Sequence, residues 1–475
     1  MSFAQWIKLP ALDRCYLLEV SYRLAGQGYV LRRSTHPYRT HPGDTPALTP
    51  YPDTILQLPE FERDMTEVFA GFSRTGFGDL QLFLDDDIQM LIDSANVAGM
   101  SVTLRCGDMS WPLSDFGVVL AGARVEQLDA VSSDTARLSF KDAATLFDTP
   151  VPRATISTGP NAGKPVPLTY GRCFNVSPEL INEATRTYQV HDGAVQAITA
   201  VRENGLAIPY TANLAAGTFT LTNNAKGRIT ADVDGAVVSS TWLQSAKQII
   251  DALIGRIGIA PSTGILPGYA LGLFIGRDQT VKSALDDLVS SVGGSWAFNR
   301  AGTLVLTAFN APLNPSANLT ADDIADASLL PRRRIAPAKS IKLGYRRNWT
   351  PQADGLAGSV RETMPAQAAL YEAQESLVTA SNAASPDYPD AAVISHSTLI
   401  VSQEDAQTEA NRRALLSAVP RTVFELTAFT APLAMELGQV VQVTYPQYFE
   451  AGAPAVITRI VDVLSDNTCK LEIYR

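Results

Sequence analysis

The chain is predicted to be mainly β and multidomain, with α+β inserts. Short runs of β-branched and aromatic residues, separated by Gly, Pro, Asn and Asp, recur along most of its 475 residues, which is the pattern of strands joined by turns. Between 241 and 330 the apolar period switches from two to that of a helix. The stretch from Glu436 to Arg475 reads as three strands, 437–443, 456–463 and 470–474, broken at Ser465-Asp466-Asn467, so the chain is expected to stop inside a sheet. A chain this long exceeds one hydrophobic core, and three or four domains are expected.

In residues 1–150, strands are expected at 15–20, 80–84, 101–108, 116–122, 123–128 and 136–140. Asp85-Asp86-Asp87 opens a short helix carrying Ile88, Leu91 and Ile92. This strand–turn spacing suits a small barrel or sandwich. The five prolines between 150 and 167 mark a boundary. A β-rich block, 151–240, follows, with strands at 195–203, 206–208, 218–222 and 227–233, and Asn204-Gly205 as a hairpin turn.

An α+β block spans 241–330. Leu243, Ile249, Ile250, Leu253, Ile254 and Ile257 share one helical face, and Val281, Leu285, Leu288, Val289 and Val292 share another. Asp278 and Thr280 are candidate N-caps for the second helix, which Gly293-Gly294 ends. A hairpin follows, 295–298 and 303–309, turning at Asn299-Arg300-Ala301-Gly302. The last block, 331–475, holds a strand at 341–345, a helix from the capping pair Ser402 and Asp405 to about Val419, and strands from Arg421 onward. The octapeptide starting at Leu306 matches that starting at Leu426 at all but one position, a hint of repetition at a length far below usual repeats.

The formal charge of −10 disfavours a DNA-coating protein, which needs clustered Lys and Arg. It suits a soluble surface, and also a channel through which DNA slides without sticking. Cys15, Cys106, Cys173 and Cys469 are far apart, without a CxxC pair. They read as buried free thiols in a reducing cytoplasm. The longest apolar run, 265–275, is interrupted by Pro267 and Gly268 and is too short to span a bilayer. The first twelve residues lack the layout of a signal peptide.

No catalytic, cofactor-binding or metal-binding residue is nominated, and no cofactor. Gly159–Lys164 resembles a phosphate loop but has Pro165 where Ser or Thr is needed. Asp85–Asp87 suits the first turn of a helix, because no calcium loop surrounds it. His36, His41, His191 and His396 have no evident third ligand beside them. HExxH and Gly-x-Ser-x-Gly are both missing from the sequence. Arg332-Arg333-Arg334 is read as a solvated linker able to touch an acidic partner, and Glu409 with Arg413 as a surface pair.

Three blocks resemble the baseplate or tail-tip hub proteins of long-tailed bacteriophages. The first is 102–108 with Trp111, Asp115, Phe116 and Gly122, then 146–151. The second is 163–172 with 174–178, 188–193 and Asn204-Gly205. The third is the strand block at Leu437-Gly438 with the helix before it. The resemblance implies two tail-tube-like β-barrel domains, at 1–150 and 331–475, with the β-rich and α+β blocks engaging spike or fibre. It implies a homotrimer whose six barrels seat on a six-fold tube. The partners implied are the distal tail protein or tail tube, the tape measure protein, the central spike or fibre and other baseplate proteins. DNA would pass transiently through the lumen. The expected place is the virion tail tip or baseplate, after assembly in the host cytoplasm. The chain is expected not to be an enzyme. Two alternatives stand beside this: a cell-wall or glycan-degrading tail enzyme using paired carboxylates, and a distal tail ring or receptor-binding component.

Overall fold

The computed structural model describes residues 3–9, 13–65, 71–72, 74–383 and 387–475. The chain is mainly β, with two large half-barrel sheets and an α+β region between them. The first sheet runs Gln27–Ser34, Cys15–Leu24, Ser101–Gly107, Gly117–Ala130, Thr135–Asp142, Leu80–Phe83, Ile55–Gln57. Alternate residues, Leu18, Val20, Leu104, Val125 and Leu138 among them, line its core. The acidic run begins a helix, Asp86–Ser94, with Asp85 as N-cap accepting from the Ile88 N–H. Arg33 donates to both Asp85 and Asp87. Where the sequence reads as two strands, 116–122 and 123–128, the structure has one, Gly117–Ala130. Gly122 is no break: it sits mid-strand beside Phe298, whose Cβ lies 3.3 Å from where a Cβ on Gly122 would be.

The second sheet runs Ala317–Leu319, Val440–Tyr445, Phe449–Val463, Thr468–Tyr474, Arg421–Ala428, Leu330–Ile335. The triple arginine is therefore not a linker. It lies in an exposed edge strand, Leu330–Ile335, antiparallel to Arg421–Ala428, with Arg332 donating twice to Glu425. Edge strands tolerate such charge because one side faces water.

The two sheets carry the same fold. Take six strands of each in chain order: 15–24, 55–57, 80–83, 101–107, 117–130 and 135–142; then 317–319, 330–335, 421–428, 440–445, 449–463 and 468–474. Both sheets arrange them laterally as first, fourth, fifth, sixth, third, second. Polarity agrees except at the first strand, antiparallel to its neighbour in one sheet and parallel in the other. The register agrees too. A bulge separates Val125↔Phe140 from Gln127↔Ser139, and the same bulge separates Ile457↔Ile473 from Arg459↔Glu472. Gly99 and Met100 exchange backbone hydrogen bonds with Val125 as Gly438 and Gln439 do with Ile457. Both glycines have positive φ, +76° and +80°, a backbone that L side chains resist.

Thus Val125 corresponds to Ile457, and Val131-Ser-Ser-Asp-Thr-Ala-Arg-Leu138 to Val463-Leu-Ser-Asp-Asn-Thr-Cys-Lys-Leu471 with Asn467 inserted. The octapeptide echo is a different matter. Its first copy falls in Leu304–Ala308, a strand of a separate small sheet, so it does not mark the duplication.

Between these sheets, Leu206–Ala207, Val195–Glu203, Ile229–Val238, Leu168–Val176 and Gly272–Ile275 form an antiparallel sheet. Asn204 and Gly205 make the expected turn, both at positive φ. Gly171, in the second resemblance block, has φ +59° and lies against the Leu271 carbonyl, where a Cβ would clash at 1.7 Å. His191, from the same block, is buried and accepts the Thr169 N–H on Nδ1 at 3.0 Å. Helices Ala246–Gly255, Val281–Ser291 and Gln403–Leu416 share one core with Trp296, Leu306, Ile341 and Leu343. Their N-caps are Ser245, Thr280 and Ser402.

Glu409 and Arg413 are not a surface pair. Their side chains are 0 % and 1 % exposed. Arg413 donates to Glu409 at 2.6 Å and to the carbonyls of Ser290 and Ser291 at 2.6 and 3.1 Å. Arg412 donates to Glu409 and to the Val292 and Gly293 carbonyls. The end of Val281–Ser291 offers carbonyls without intrahelical donors, and cations there are favoured. The spacing i, i+4 is the same for a solvated and a buried pair. The small buried row Ala406, Ala410, Ala414 on the same helix marks the face that packs.

Two outcomes follow from this packing. Glu409→Ala leaves Arg413 buried without its carboxylate and should cost about 3–5 kcal/mol in urea unfolding; a loss below about 1 kcal/mol would mean that the Glu409–Arg413 pair contributes only packing. Burial, aided by the Arg256 charge, pushes the His191 pKa from 6.5 down to about 4. The unfolded chain therefore takes up the proton first, and stability falls as pH drops from about 6.5 towards 4, by up to about 3 kcal/mol. His191→Gln, which keeps an acceptor for Thr169, should flatten that slope; an unchanged slope would assign it to other groups.

Candidate assembly surface

The chain between the second and third strands of the first sheet does not stay in it. Glu60–Asp64 pairs with Arg74–Phe77 on one side and, on the other, adds antiparallel to the far half of Phe449–Val463 in the second sheet. The pairing runs from Arg459↔Asp64 to Val463↔Glu60, and Met65 N–H continues it to the Thr458 carbonyl at 2.8 Å. This strand addition satisfies an edge that would otherwise stand open. Arg459 donates to Glu62 across it at 2.7 Å.

Beneath this joint lies a buried ion cluster. Asp462, on Phe449–Val463, is 0 % exposed. Arg300, from the turn of the α+β hairpin, clamps it with both terminal nitrogens, and also donates to the Pro432 carbonyl at 3.0 Å. Arg63, on Glu60–Asp64, lies 3.5 Å from Asp462 and donates to Glu436 at 2.7 Å. The Cys469 thiol donates to Asp462 at 3.3 Å. Burial would raise the Asp462 pKa, but the charges of Arg300 and Arg63 outweigh it and hold the carboxyl below its usual value. Burial, with the charge of Arg300, pulls the Arg63 guanidinium down; Arg300 stays raised because Asp462 outweighs its burial. Burial beside Asp462 pushes the Cys469 thiol well up, away from thiolate chemistry.

One carboxylate thus ties three segments: the added strand, the second sheet and the α+β hairpin. None of Arg63, Arg300, Asp462 or Glu436 was singled out from sequence. The available signal was Asp462 itself, a lone charge in the apolar run Ile460-Val461-Asp462-Val463, since a buried carboxylate demands a cation.

The motifs weighed from sequence are scattered. Gly159–Lys164 is a surface turn closed by Gly163 N–H to the Ile156 carbonyl. His36 lies beside Thr35, while His396 stands on Val393–Ser397 with its pKa lowered by burial and by Arg413. All four cysteines are buried and free. Among the described residues no three His, Cys, Asp or Glu are grouped to hold a metal ion, and no helix is long and apolar enough to cross a membrane.

No family model and no curated protein matches the chain. Similar solved structures include a protein in the virion of a native gene transfer agent particle, at 15 % identity over 68 % of this chain and 87 % of that one, TM-score 0.44. The tail protein from Neisseria meningitidis MC58 is 11 % identical over 97 % and 96 %, TM-score 0.44. The 43 kDa tail protein of prophage MuSo2 from Shewanella oneidensis is 11 % identical over 96 % and 97 %, TM-score 0.41. With TM-scores this low at such identities, the functional reading rests on the chain's own residues and sheets.

Asp462→Ala should leave Arg300 buried without its carboxylate, and Arg63 beside it with Glu436 alone, and cost about 3–5 kcal/mol, with Asp462→Asn intermediate. Equilibrium unfolding measures it. A cost no greater than that of Arg332→Ala at the exposed pair would show that the cluster does not hold the joint.

Proposed function

We propose that this chain is a structural virion protein, the trimeric hub of a bacteriophage tail tip or baseplate. In this reading it links the tail tube or distal tail protein to the spike or fibres, meets the tape measure protein, and forms part of the channel through which DNA leaves. The observation that carries the reading is the duplicated half-barrel. One chain presents the same module twice, joined through Glu60–Asp64 and the Asp462 cluster. Three such chains offer six quasi-equivalent modules, the number that meets a six-fold tube in a closed ring. The sequence resemblance of 102–108, 163–172 and the Leu437-Gly438 block supports it, and the net charge of −10 suits a lumen from which DNA is not held back. We read the domains as 1–150 and 331–475 for the ring and 151–240 and 241–330 for its attachments, with Gln403–Leu416 packed on the latter.

Tail particles carrying a tag at the C-terminus of this chain should show the label at the tail tip, and native mass measurement of the released tip should give three copies. A label along the tube or on fibres, or a copy number of one or six, would overturn the hub assignment.

A further inference from the structure

The two modules are equivalent in fold but not in what covers them. In the second, the fifth strand pairs with the fourth up to Ile457, and beyond it 459–463 is covered by Glu60–Asp64. In the first, the fifth strand pairs with the fourth up to Val125, and among the described residues 126–130 has one strand partner, Thr135–Asp142, while the helix Asp86–Ser94 also packs against Gly117–Ala130. The covering strand has a counterpart as well. Glu60–Asp64 is laddered to Arg74–Phe77, which leads into the third strand of its module. Leu330–Ile335 is laddered to the first half of Arg421–Ala428, the third strand of the other. The outer edge of Glu60–Asp64 is filled, whereas Leu330–Ile335 ends its sheet with residues 330–334 exposed.

We infer that the Leu330–Ile335 edge of one copy adds as an antiparallel strand to the 126–130 edge of a second copy, repeating between chains the joint made within the chain by Glu60–Asp64 on 459–463. Charge complements geometry. The open edge carries Glu126, exposed, and Asp129, which Arg137 of the neighbouring strand meets at 3.4 Å; the incoming strand carries Arg333 and Arg334, exposed, beside Arg332, which Glu425 holds. Within the chain the outward charges are reversed: Glu62 comes in against Arg459, while Arg63 of the same strand turns to the buried Asp462. The outward charges thus favour each strand in its own slot over the other's. The contact is head-to-tail, joining different patches of the two copies, and closes into a ring when the rotation permits.

This deepens the assembly reading by naming the partner, a second copy of the chain, and the two edges that meet. The test uses the full chain in sedimentation velocity at low salt across a concentration series. The wild type should associate. R333E with R334E should sediment as a monomer, as should E126R with D129R, while a chain carrying all four changes should regain association; circular dichroism checks that each is folded. As a second measurement, a chain with Gln127→Cys mixed with a chain with Arg333→Cys should form a disulfide between chains under mild oxidation. Association that survives either reversal, or fails to return in the fourfold variant, would overturn the edge pairing while leaving the hub reading to the tagged particles. A wild type monomeric throughout, with no cross-link, would overturn it too.

Discussion

A buried carboxylate has to be answered by cations, and Asp462 is answered from two directions at once. Removing an ion from water costs several kcal/mol even after relaxation, and only close, hydrogen-bonded partners recover it. Arg300 arrives from the α+β hairpin and Arg63 from a strand that has left the first sheet. The Asp462 carboxylate is therefore neutralised from both sides only when all three segments are docked. Hydrophobic contact alone tolerates sliding; a carboxylate held by two guanidiniums does not. That constraint fixes how the first half-barrel sits on the second.

The two half-barrels share a backbone plan while their side chains differ. The two modules share strand order, a bulge at the same rung and a positive-φ glycine at the same turn. These are backbone features, set by register and by where apolar residues alternate. Surface charge differs between the two modules: Glu62 meets Arg459 at the joint within the chain, whereas Arg333 and Arg334 are exposed on one free edge and Glu126 on the other. A chain built of similar modules needs such a difference to keep its joints from exchanging partners.

The middle of the molecule uses the same logic on a helix. Gln403–Leu416 lies apart in sequence from Val281–Ser291, yet it is drawn into the same core by a row of small side chains. It is anchored by guanidiniums set on the other helix's terminal carbonyls. Donors satisfied in this way cannot be exchanged for water once the interface is dry, which makes the interface specific as well as stable.

Local properties were legible in the residues themselves. Alternating β-branched runs placed the strands, Thr280 and Ser402 placed helix starts, Asn204-Gly205 placed a turn, and Asp85–Asp87 placed the opening of a helix. Each depends on neighbours a few positions away, so the sequence window contains the cause. It did not contain the partner of Asp462, 162 residues from Arg300, nor the face on which Glu409 and Arg413 are buried. Nor did it show that Arg332–Arg334 forms a sheet edge. A charge looks alike in sequence whether water or a distant guanidinium solvates it. Only the packed chain decides which, because burial belongs to the assembled fold and not to any stretch of it.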